Sequence, residues 1–282
     1  MFPAPKLPPP KIEGGPWIMG IVNATPDSFS DGGRYADTDA AILAGLRMLE
    51  DGADVLDVGG ESTRPGAAPV AEAEEIARVL PVIEGVRRAS DAMVSVDTMK
   101  PAVARAAMAA GATMWNDVNA LRAPGAVDCA AELGCDVALM HMQGAPRTMQ
   151  EKPVYGDVVA EVIAFLCARV DEVAKTGVAH EKIWVDPGIG FGKTLAHNLA
   201  LIRAIGEIRA QTGCRLLFGA SRKRFISAID PTATEAGDRV GGSLAAALHA
   251  VSRGAEMVRV HDVRETVQAL RVQRAIEHGA SS

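Results

Sequence analysis

Short apolar runs alternate with helix-period stretches from residue 17 to the end of the chain. Each run is rich in branched or sulfur-bearing side chains, a pattern typical of strands that are covered on both faces. The predicted strands are WIMGIV (17–22), DVLDVG (54–59), AMVSVD (92–97), ATMWND (112–117), DVALMH (136–141), KIWVD (182–186), RLLFG (215–219) and EMVRVH (256–261).

The stretches between these strands place apolar residues at helical spacing. Examples are residues 40–52, 73–88, 158–177 and 243–254. Several stretches stop at a glycine, namely Gly52, Gly111, Gly177 and Gly254. Glycine at this position is typical of a left-handed helix C-cap, so the glycines indicate where the helices end.

Eight alternations of strand and helix predict an α/β protein, a (β/α)8 TIM barrel with a single domain at 16–282. The alternative is a doubly wound open sheet, which usually has fewer strands. Residues 1–15 precede the barrel as a Pro-rich arm, and its first part, MFPAPKLPPPK, holds five of the 16 prolines. The arm has no apolar stretch of the signal-peptide kind and is predicted to be extended.

Composition and charge exclude several classes of protein. The chain of 282 residues carries 29 Lys and Arg against 35 Asp and Glu, a formal charge of −6. This balance does not suit a nucleic-acid-binding protein. No uncharged apolar run approaches the roughly 20 residues that span a bilayer. We therefore expect a cytoplasmic protein with no nucleic-acid or membrane partner.

The four cysteines do not indicate a metal or redox site. Cys129, Cys135, Cys167 and Cys214 form no CxxC pair, and no histidine-rich segment accompanies them. Such spacing does not suit a zinc ribbon or a thioredoxin motif. They are expected to be buried free thiols.

Nearly every predicted strand ends in polar residues. They are Asn23, Asp57, Glu61, Ser62, Thr63, Arg64, Asp97, Asn116, Asp117, His141, Asp186, Ser221, Arg222, Lys223, Arg259 and His261. A single residue of this kind is often a satisfied structural group. Polar residues at the end of every strand predict a polar site at the C-terminal face of the barrel, where TIM-barrel enzymes have their chemistry.

The residue types indicate what this site binds. One group supplies acceptors and an amide, which suits a flat heterocycle with several N–H groups. Its members are Asp97, Asn116 and Asp186. A second group supplies donors and a possible metal ligand, which suits an anionic leaving group such as a phosphate. Its members are Asn23, Lys223, Arg259 and His261.

Two glycine-rich polar loops follow the first two strands. They are NATPDSFSDGG (23–33) and GGESTRPGA (59–67). Such loops are candidate lids that exclude water from a bound substrate, although either alone could be a surface turn.

Three familiar catalytic motifs fail on spacing. GIGFGKT (188–194) resembles a P-loop, but the first glycine would fall at Pro187, and GxGxG is not the dinucleotide fingerprint. Ser221 lies in no GxSxG frame, and HExxH is absent. Serine-hydrolase and metalloprotease chemistry are therefore disfavoured.

Nine segments between residues 20 and 263 resemble, in order, the signatures of the dihydropteroate synthase family. The segments are NATPDSFSDGG, DVGGESTRPGA, SVDTMKP, NDVNA, MHMQGAPRTMQ, DPGIGFGK, GASRKRF, GGSLAAAL and VRVHDV. Two positions depart from the family pattern, Gly241 and Trp115, and neither touches a group that we expect to act in catalysis.

The resemblance implies a (β/α)8 barrel enzyme, a transferase, usually a homodimer. It would condense 6-hydroxymethyl-7,8-dihydropterin pyrophosphate with p-aminobenzoate, assisted by Mg²⁺, to give 7,8-dihydropteroate and pyrophosphate in folate synthesis. Loss of pyrophosphate would leave a cation that the pterin ring delocalises, and the aromatic amine would then attack it. The late helices near 199–209 and 243–253 carry enough apolar residues to form a dimer interface.

The resemblance also implies roles for individual residues. Those expected to hold the pterin ring are Asp97, Asn116, Asp186 and Lys223, with Met140 and Arg259 against its faces. Asn23 would help to hold Mg²⁺. The residues expected to receive the pyrophosphate are Arg64, Arg259 and His261. The p-aminobenzoate pocket would be shaped by Phe29, Thr63, Pro65, Phe191 and Ser221. Asp31 and Arg64 would complete the site from the two lid loops, with Asp31 facing the positive carbon.

Two other functions stay open at this point. One is a methyltetrahydrofolate-type methyltransferase, which shares the pterin-binding residues but does not need the two lid loops or the SRKR segment. The other is a catalytically silent pterin-binding paralogue, against which the complete lid loops argue. A phosphosugar aldolase is disfavoured because no lysine at a strand end occupies a Schiff-base position.

Overall fold

All eight predicted strands are present in the computed structural model, which describes residues 8–25, 33–63 and 66–279, and within 33–37 the backbone alone. Each strand lies within two residues of its predicted bounds. The strands are β1 (Trp17–Asn23), β2 (Val55–Gly59), β3 (Met93–Asp97), β4 (Met114–Asp117), β5 (Asp136–Met140), β6 (Ile183–Asp186), β7 (Arg215–Phe218) and β8 (Met257–Val260).

The described residues form ten α-helices. They are α1 (Gly33–Glu50), α2 (Glu72–Ala89), α3 (Pro101–Ala109), α4 (Ala126–Leu133), α5 (Val158–Lys175), α6 (Leu195–Arg203), α7 (Ile205–Thr212), α8 (Arg224–Ile229), α9 (Val240–Ser252) and α10 (Val263–His278). The four glycines that were predicted to end helices all have positive φ, between 97° and 110°. Helix α1 begins seven residues before the predicted start at 40, because its polar first turns carry no apolar periodicity.

The strands are all parallel and close into a barrel in chain order, with β1 hydrogen-bonded to both β2 and β8. The helices alternate with the strands, as parallel connections require. The single-domain (β/α)8 barrel predicted from the sequence is confirmed, and the open-sheet alternative is excluded.

One apolar side chain from each strand fills the lower part of the barrel. These eight residues, here called the lower tier, are Met19, Val55, Met93, Met114, Ala138, Trp184, Leu217 and Met257. Because strand side chains return to the same face every second residue, the next inward positions lie two residues further along each strand. These residues, here called the polar tier, are Ile21, Asp57, Ser95, Asn116, Met140, Asp186, Gly219 and Arg259. An apolar floor thus lies directly beneath a largely polar layer.

The described part of the Pro-rich arm lies against the lower end of the barrel. Asp54 joins the arm to β1, because its carboxylate accepts hydrogen bonds from Lys11 N at 2.7 Å and Ile18 N at 2.8 Å. Ile12 is buried in the hydrophobic core. Trp17 donates from Nε1 to Pro8 O at 2.8 Å and packs edge-on against the lower-tier Trp184 at 5.6 Å. The arm and Trp17 therefore cover the end of the barrel opposite the polar tier.

Two further expectations can be compared with the structure. Cys129, Cys135 and Cys214 are buried and free, as predicted, whereas the free thiol of Cys167 is only half-buried. Within residues 8–25, 33–63 and 66–279, no helix combines the length and the apolar character needed to cross a bilayer.

Ile12→Ala should destabilise the fold without affecting the C-terminal face of the barrel. Removing a buried isoleucine side chain costs about 2–5 kcal/mol, since it leaves a cavity. We expect a lower urea midpoint and unchanged KM values. Leu43→Ala is the control, because Leu43 is 55% exposed and its truncation should cost little. Equal midpoints for the two variants would contradict the packing role of the arm.

Candidate active site

A cavity of about 740 Å³ opens at the C-terminal ends of the strands. Its walls include the polar-tier residues Ile21, Asn116, Met140, Asp186, Gly219 and Arg259. The next inward positions also line it, namely Asn23, Gly59, Asp97, Val118, Ser221 and His261. Thr63, Phe191 and Lys223 complete the predicted site residues that reach this cavity. The four residues expected to hold a pterin therefore converge, as the sequence predicted.

The guanidinium of Arg259 joins two buried carboxylates, one that lines the cavity and one that lies beneath it. Its Nε donates to Asp57 Oδ2 at 2.6 Å, and its Nη2 donates to Asp97 Oδ2 at 2.8 Å. Asn116 Nδ2 donates to the same Asp57 oxygen at 3.0 Å. Asp57 is fully buried, and the second oxygens of Asp57 and Asp97 have no hydrogen-bond partner among the described residues. Asp97 also lines the cavity, so this carboxylate has hydrogen-bonding capacity that the described residues leave unused.

Burial raises the pKa values of the two carboxylates that line the cavity. It raises the pKa of Asp97 to about 7, although Arg259 acts in the opposite direction. Burial likewise raises the pKa of Asp186 to about 6, opposed by the Gly188 N–H and by Lys223. That N–H lies 2.7 Å from Asp186 Oδ1. Perturbed pKa values in a cavity are typical of binding and catalytic groups, and N–H donors of a ligand would favour the ionised forms.

One side of the cavity is apolar. Val118, Met140 and Phe191 belong to a buried cluster together with Met142 and Met149. The ammonium of Lys223 lies 3.9 Å from the centre of the Phe191 ring, which is the geometry of a cation–π contact. This side therefore offers a surface for a flat ring beside a positive charge.

Ser221 and His261 face each other across β7 and β8. Ser221 Oγ accepts from His261 N at 3.2 Å and lies 3.0 Å from His261 Nδ1. Burial lowers the pKa of His261 to about 4, reinforced by Arg259 and Arg222. His261 is therefore neutral near pH 7 before a ligand binds. If Ser221 donates to Nδ1, the ring proton is on Nε2.

The base of the loop after β2 is tied down by charge. Lys100 Nζ lies 2.5 Å from carboxylate oxygens of both Glu61 and the buried Glu75. Glu61 Oε1 accepts from Val70 N at 3.1 Å, so one side chain joins both ends of the loop that carries Thr63. The predicted site residues Phe29, Asp31, Arg64 and Pro65 lie outside the described residues.

Besides Asp57, which is buried beneath the cavity, Asp117 and His141 are polar strand-end residues that do not line it. Asp117 accepts from Asn119 N at 2.7 Å and Leu121 N at 2.8 Å, so it organises the loop after β4. His141 packs edge-on against Phe165 of α5 at 4.9 Å. Both side chains are one residue away from an inward position, since Asn116 and Met140 point inward. Strand alternation is the signal that separates them from the site.

Two buried residues have roles that the sequence did not reveal. Asp57 was recognised as a polar strand end, but its partnership with Arg259 connects strands that are distant in the chain. Lys193 was noted only as part of the failed P-loop match and as the last residue of the DPGIGFGK segment. The residue is 3% exposed, and its amine contacts His141 and the carbonyl oxygen of Phe191 at the cavity wall.

Comparison with known proteins places the chain in a family. The profile of the pterin binding enzymes matches residues 19–261. The dihydropteroate synthase of Escherichia coli (strain K12) is 46% identical over 260 residues, covering 92% of this chain and 91% of that protein. The chain belongs to the dihydropteroate synthase family. Its fold and its enzyme class, a transferase, are those predicted from the sequence.

Solved dihydropteroate synthases have the same architecture. The enzyme of Xanthomonas albilineans with 4-aminobenzoic acid superposes with a TM-score of 0.87 at 48% identity, covering 94% of this chain and 95% of that chain. A complex with 7,8-dihydropteroate from the same organism gives a TM-score of 0.85 at 46% identity, covering 94% of both chains.

Arg259→Met should destabilise the fold strongly at alkaline pH. It would leave Asp57 and Asp97 without their cation, and breaking such a buried pair costs about 3–5 kcal/mol. Arg259 opposes the rise in the pKa of Asp97, so its loss would raise that pKa further. A folded-state pKa above the unfolded value means that ionisation destabilises the fold, so the loss should be larger at pH 8 than at pH 6.

Urea unfolding at the two pH values measures this effect. Arg209→Met is the control, since it removes a half-exposed ion pair with Glu256 and should cost at most about 1 kcal/mol. If Arg259→Met lowered the free energy of unfolding equally at both pH values, charge compensation would not be the main role of Arg259.

Proposed function

We propose that this chain condenses 6-hydroxymethyl-7,8-dihydropterin pyrophosphate with p-aminobenzoate to form 7,8-dihydropteroate and pyrophosphate. The observation that carries the proposal is the convergence of Asp97, Asn116, Asp186 and Lys223 on one cavity. The family supports it further, since relatives of similar length have been solved with 4-aminobenzoic acid and with 7,8-dihydropteroate.

The polar tier supplies acceptors for the pterin. Asp186 and Asp97 present carboxylate oxygens that can accept the N–H groups of the pyrimidine edge, and Asn116 lies between them on β4. Each hydrogen bond to an ionised group contributes about 1.5–3 kcal/mol. The bond from Asn116 to Asp57 fixes the amide orientation. Met140 lies on the apolar side, where a ring face would pack.

The p-aminobenzoate would lie nearer the mouth of the cavity. Phe191 provides an apolar ring surface, and Ser221 provides a hydroxyl on the segment that leads into α8. Thr63 approaches from the loop after β2, and Phe29 and Pro65 are assigned to the same pocket by the resemblance alone. In this placement, the amine of p-aminobenzoate would point inward, toward the bound pterin.

The pyrophosphate would leave toward His261, Arg259 and Arg64, with Asp31 facing the positive carbon. Two nitrogen atoms of Arg259 are already bound to carboxylates, so its remaining N–H groups would contact the anion. An arriving anion raises the pKa of His261 and strengthens its donation. Stabilisation of developing charge by a placed donor is worth about 3–4 kcal/mol.

We infer that Mg²⁺ enters with the pyrophosphate rather than in a protein cage. No group of three acidic, histidine or cysteine side chains suited to a metal occurs among the described residues. The exposed side chain of Asn23 lines the cavity and offers one amide oxygen. One protein ligand suits Mg²⁺, which keeps waters and binds substrate phosphates. When bound, it would neutralise charge on the leaving anion.

The carbon–oxygen bond to pyrophosphate would break first, leaving a cation that the pterin ring delocalises. The amine then forms the new carbon–nitrogen bond and loses one proton. This path needs no covalent enzyme intermediate, so Ser221, although it lies 3.0 Å from His261 Nδ1, is not required as a nucleophile.

A homodimer and a cytoplasmic location both stay predictions. Support for the first comes from α10, where Val272 is 55% and Ile276 is 80% exposed. A second copy of the chain would cover these side chains.

Asp97→Asn should abolish pterin binding while the fold stays intact, because Arg259 keeps its bond to Asp57. A coupled assay with Mg²⁺ and labelled p-aminobenzoate would measure dihydropteroate and amine-dependent pyrophosphate release. We expect kcat/KM to fall by at least about 100-fold. Asp54→Asn is the control, as Asp54 is buried at the opposite end of the barrel.

Binding titrations with the pterin and a methyl-transfer assay with a methylated folate distinguish the alternatives. Pterin binding without product from the wild-type chain would favour the silent paralogue. Transfer of a methyl group from a folate would favour the methyltransferase. Unchanged pterin affinity in Asp97→Asn would count against the assigned pocket.

Pterin affinity should weaken as the pH falls. The acceptor forms of Asp186 and Asp97 are ionised, and their pKa values of about 6 and about 7 place protonation just below neutrality. Below both values, the Kd should rise by about tenfold or more for each pH unit. Isothermal titration calorimetry with 6-hydroxymethylpterin between pH 5.5 and 7.5 tests this. This ligand has no pyrophosphate group, whose own protonation would otherwise change over the same pH range. A constant Kd over that range would refute the role of the carboxylates as acceptors.

A further inference from the structure

Lys193 places a buried amine between two loops at the wall of the cavity. It lies between β6 and α6, and its side chain is almost fully buried. The Nζ atom lies 3.0 Å from His141 Nδ1, 3.2 Å from His141 O and 2.9 Å from Phe191 O. All three contacts are to uncharged acceptors, so this lysine is not part of an ion pair with the described residues.

The three acceptors match the three N–H groups of an ammonium. Burial lowers the pKa of His141 to about 3, so its ring is neutral and Nδ1 can accept. An ammonium donates to all three, whereas an uncharged amine would donate to the two carbonyl oxygens and accept from a His141 ring protonated on Nδ1, so the amine joins the same three groups in either form. Burial also lowers the pKa of Lys193 to about 7, opposed by Asp186. The hydrogen bonds therefore offset the cost of holding a cation there.

The loop from 187 to 193 is pressed against the loop that follows β5. Gly188 and Gly192 have φ of 69° and 63°. A Cβ at Gly188 would lie 1.9 Å from His141 O, and one at Gly192 would lie 2.6 Å from Gln143 O. The two backbones thus touch, and Lys193 joins them by binding a carbonyl oxygen of each.

Phe191 connects this anchor to the cavity. Its carbonyl oxygen accepts from Lys193, and its ring lies 3.9 Å from the ammonium of Lys223. Further bonds hold the same loop, from Gly190 N to Asn198 Oδ1 at 2.7 Å and from Tyr155 OH to Gly192 O at 2.8 Å. Lys193 is the member of this set that bonds directly to the residue whose ring forms the wall.

We propose that Lys193 is a positioning residue for the aromatic amine substrate, because it fixes the 187–193 loop and thereby the Phe191 ring. The inference rests on the proposed function and adds a residue whose three hydrogen bonds all go to protein atoms and which acts through Phe191. Loss of the ammonium would let the ring move while Asp97 and Asn116 keep their places on other strands, and Asp186 keeps its short-range bond from Gly188 N at the start of the loop. The KM for p-aminobenzoate should therefore rise, whereas the KM for the pterin substrate should stay nearly unchanged.

Lys193→Met keeps the length of the side chain and removes the three hydrogen bonds. We expect the KM for p-aminobenzoate to rise about tenfold, as is typical when a supporting partner is lost, with the KM for the pterin substrate within about twofold. Lys182→Met is the matched control. Lys182 Nζ donates to Gly134 O at 2.6 Å just before β6, at the opposite end of the barrel, so both KM values should stay unchanged.

A double-mutant cycle with Phe191→Leu separates positioning from general stability. If Lys193 acts through the ring, Lys193→Met should add less than about twofold to the KM for p-aminobenzoate in the Phe191→Leu background. Additive effects, or an unchanged KM in folded Lys193→Met, would overturn the proposal. If Lys193→Met does not fold, Lys193→Gln takes its place; if neither folds, Lys193 serves folding and the proposal also fails.

The wild-type assay keeps the two proposals apart. A wild-type chain that forms no dihydropteroate would refute the proposed function, and this inference with it. An active wild-type enzyme whose Lys193 variants keep their KM for p-aminobenzoate would refute this inference alone.

Discussion

Charge compensation inside the barrel is the constraint on which the site depends. Asp57, Asp97 and Asp186 come from three strands and are all buried in or next to the cavity, where each unpaired charge is costly. One guanidinium, that of Arg259, satisfies two of them directly. It comes from the last strand, so the acid groups of β2 and β3 are compensated only when the barrel closes. Formation of the site and completion of the fold are therefore the same event.

The compensation is incomplete in a way that suits a binding site. Asp97 keeps an unpaired oxygen, and burial holds the pKa of Asp186 well above its ordinary value. A ligand with several N–H groups would supply the missing partners. Natural sites commonly give up stability for binding in this manner. The apolar lower tier packs beneath these groups. Hydrogen-bond donors of a ligand can therefore approach them only from the cavity.

Much of this could be predicted from the sequence, because barrel topology turns chain order into spatial order. Strand ends were visible as polar residues after apolar runs, and parallel closure brings them to one face. The same reasoning assigned Asp117 and His141 to the polar set, and strand alternation would have removed them. Successive side chains of a strand point to opposite faces. A shift of one residue therefore separates a side chain that faces the cavity from one that holds a loop.

Other features depend on contacts that no local pattern encodes. The bond of Arg259 to Asp57 spans 202 positions in the chain, and no periodicity reports it. Lys193 lies in a glycine-rich segment whose resemblance to a nucleotide-binding motif fails by one position. The role proposed for it follows only from the close approach of two loops, which the glycines at 188 and 192 permit. The packing of the Pro-rich arm could not be predicted either. Its composition indicated an extended chain but not which surface of the barrel it covers.

The covered lower end of the barrel has a kinetic consequence. With Trp17 and the arm over one end, the described residues leave the cavity open at the other end, the C-terminal face of the barrel. Asn116 and Asp186 lie in the polar tier, whereas Ser221 and His261 lie two residues beyond the polar-tier positions of β7 and β8, nearer that opening. A molecule bound at the outer pair would therefore stand between the inner pair and solvent, and it would slow exchange at the deeper position.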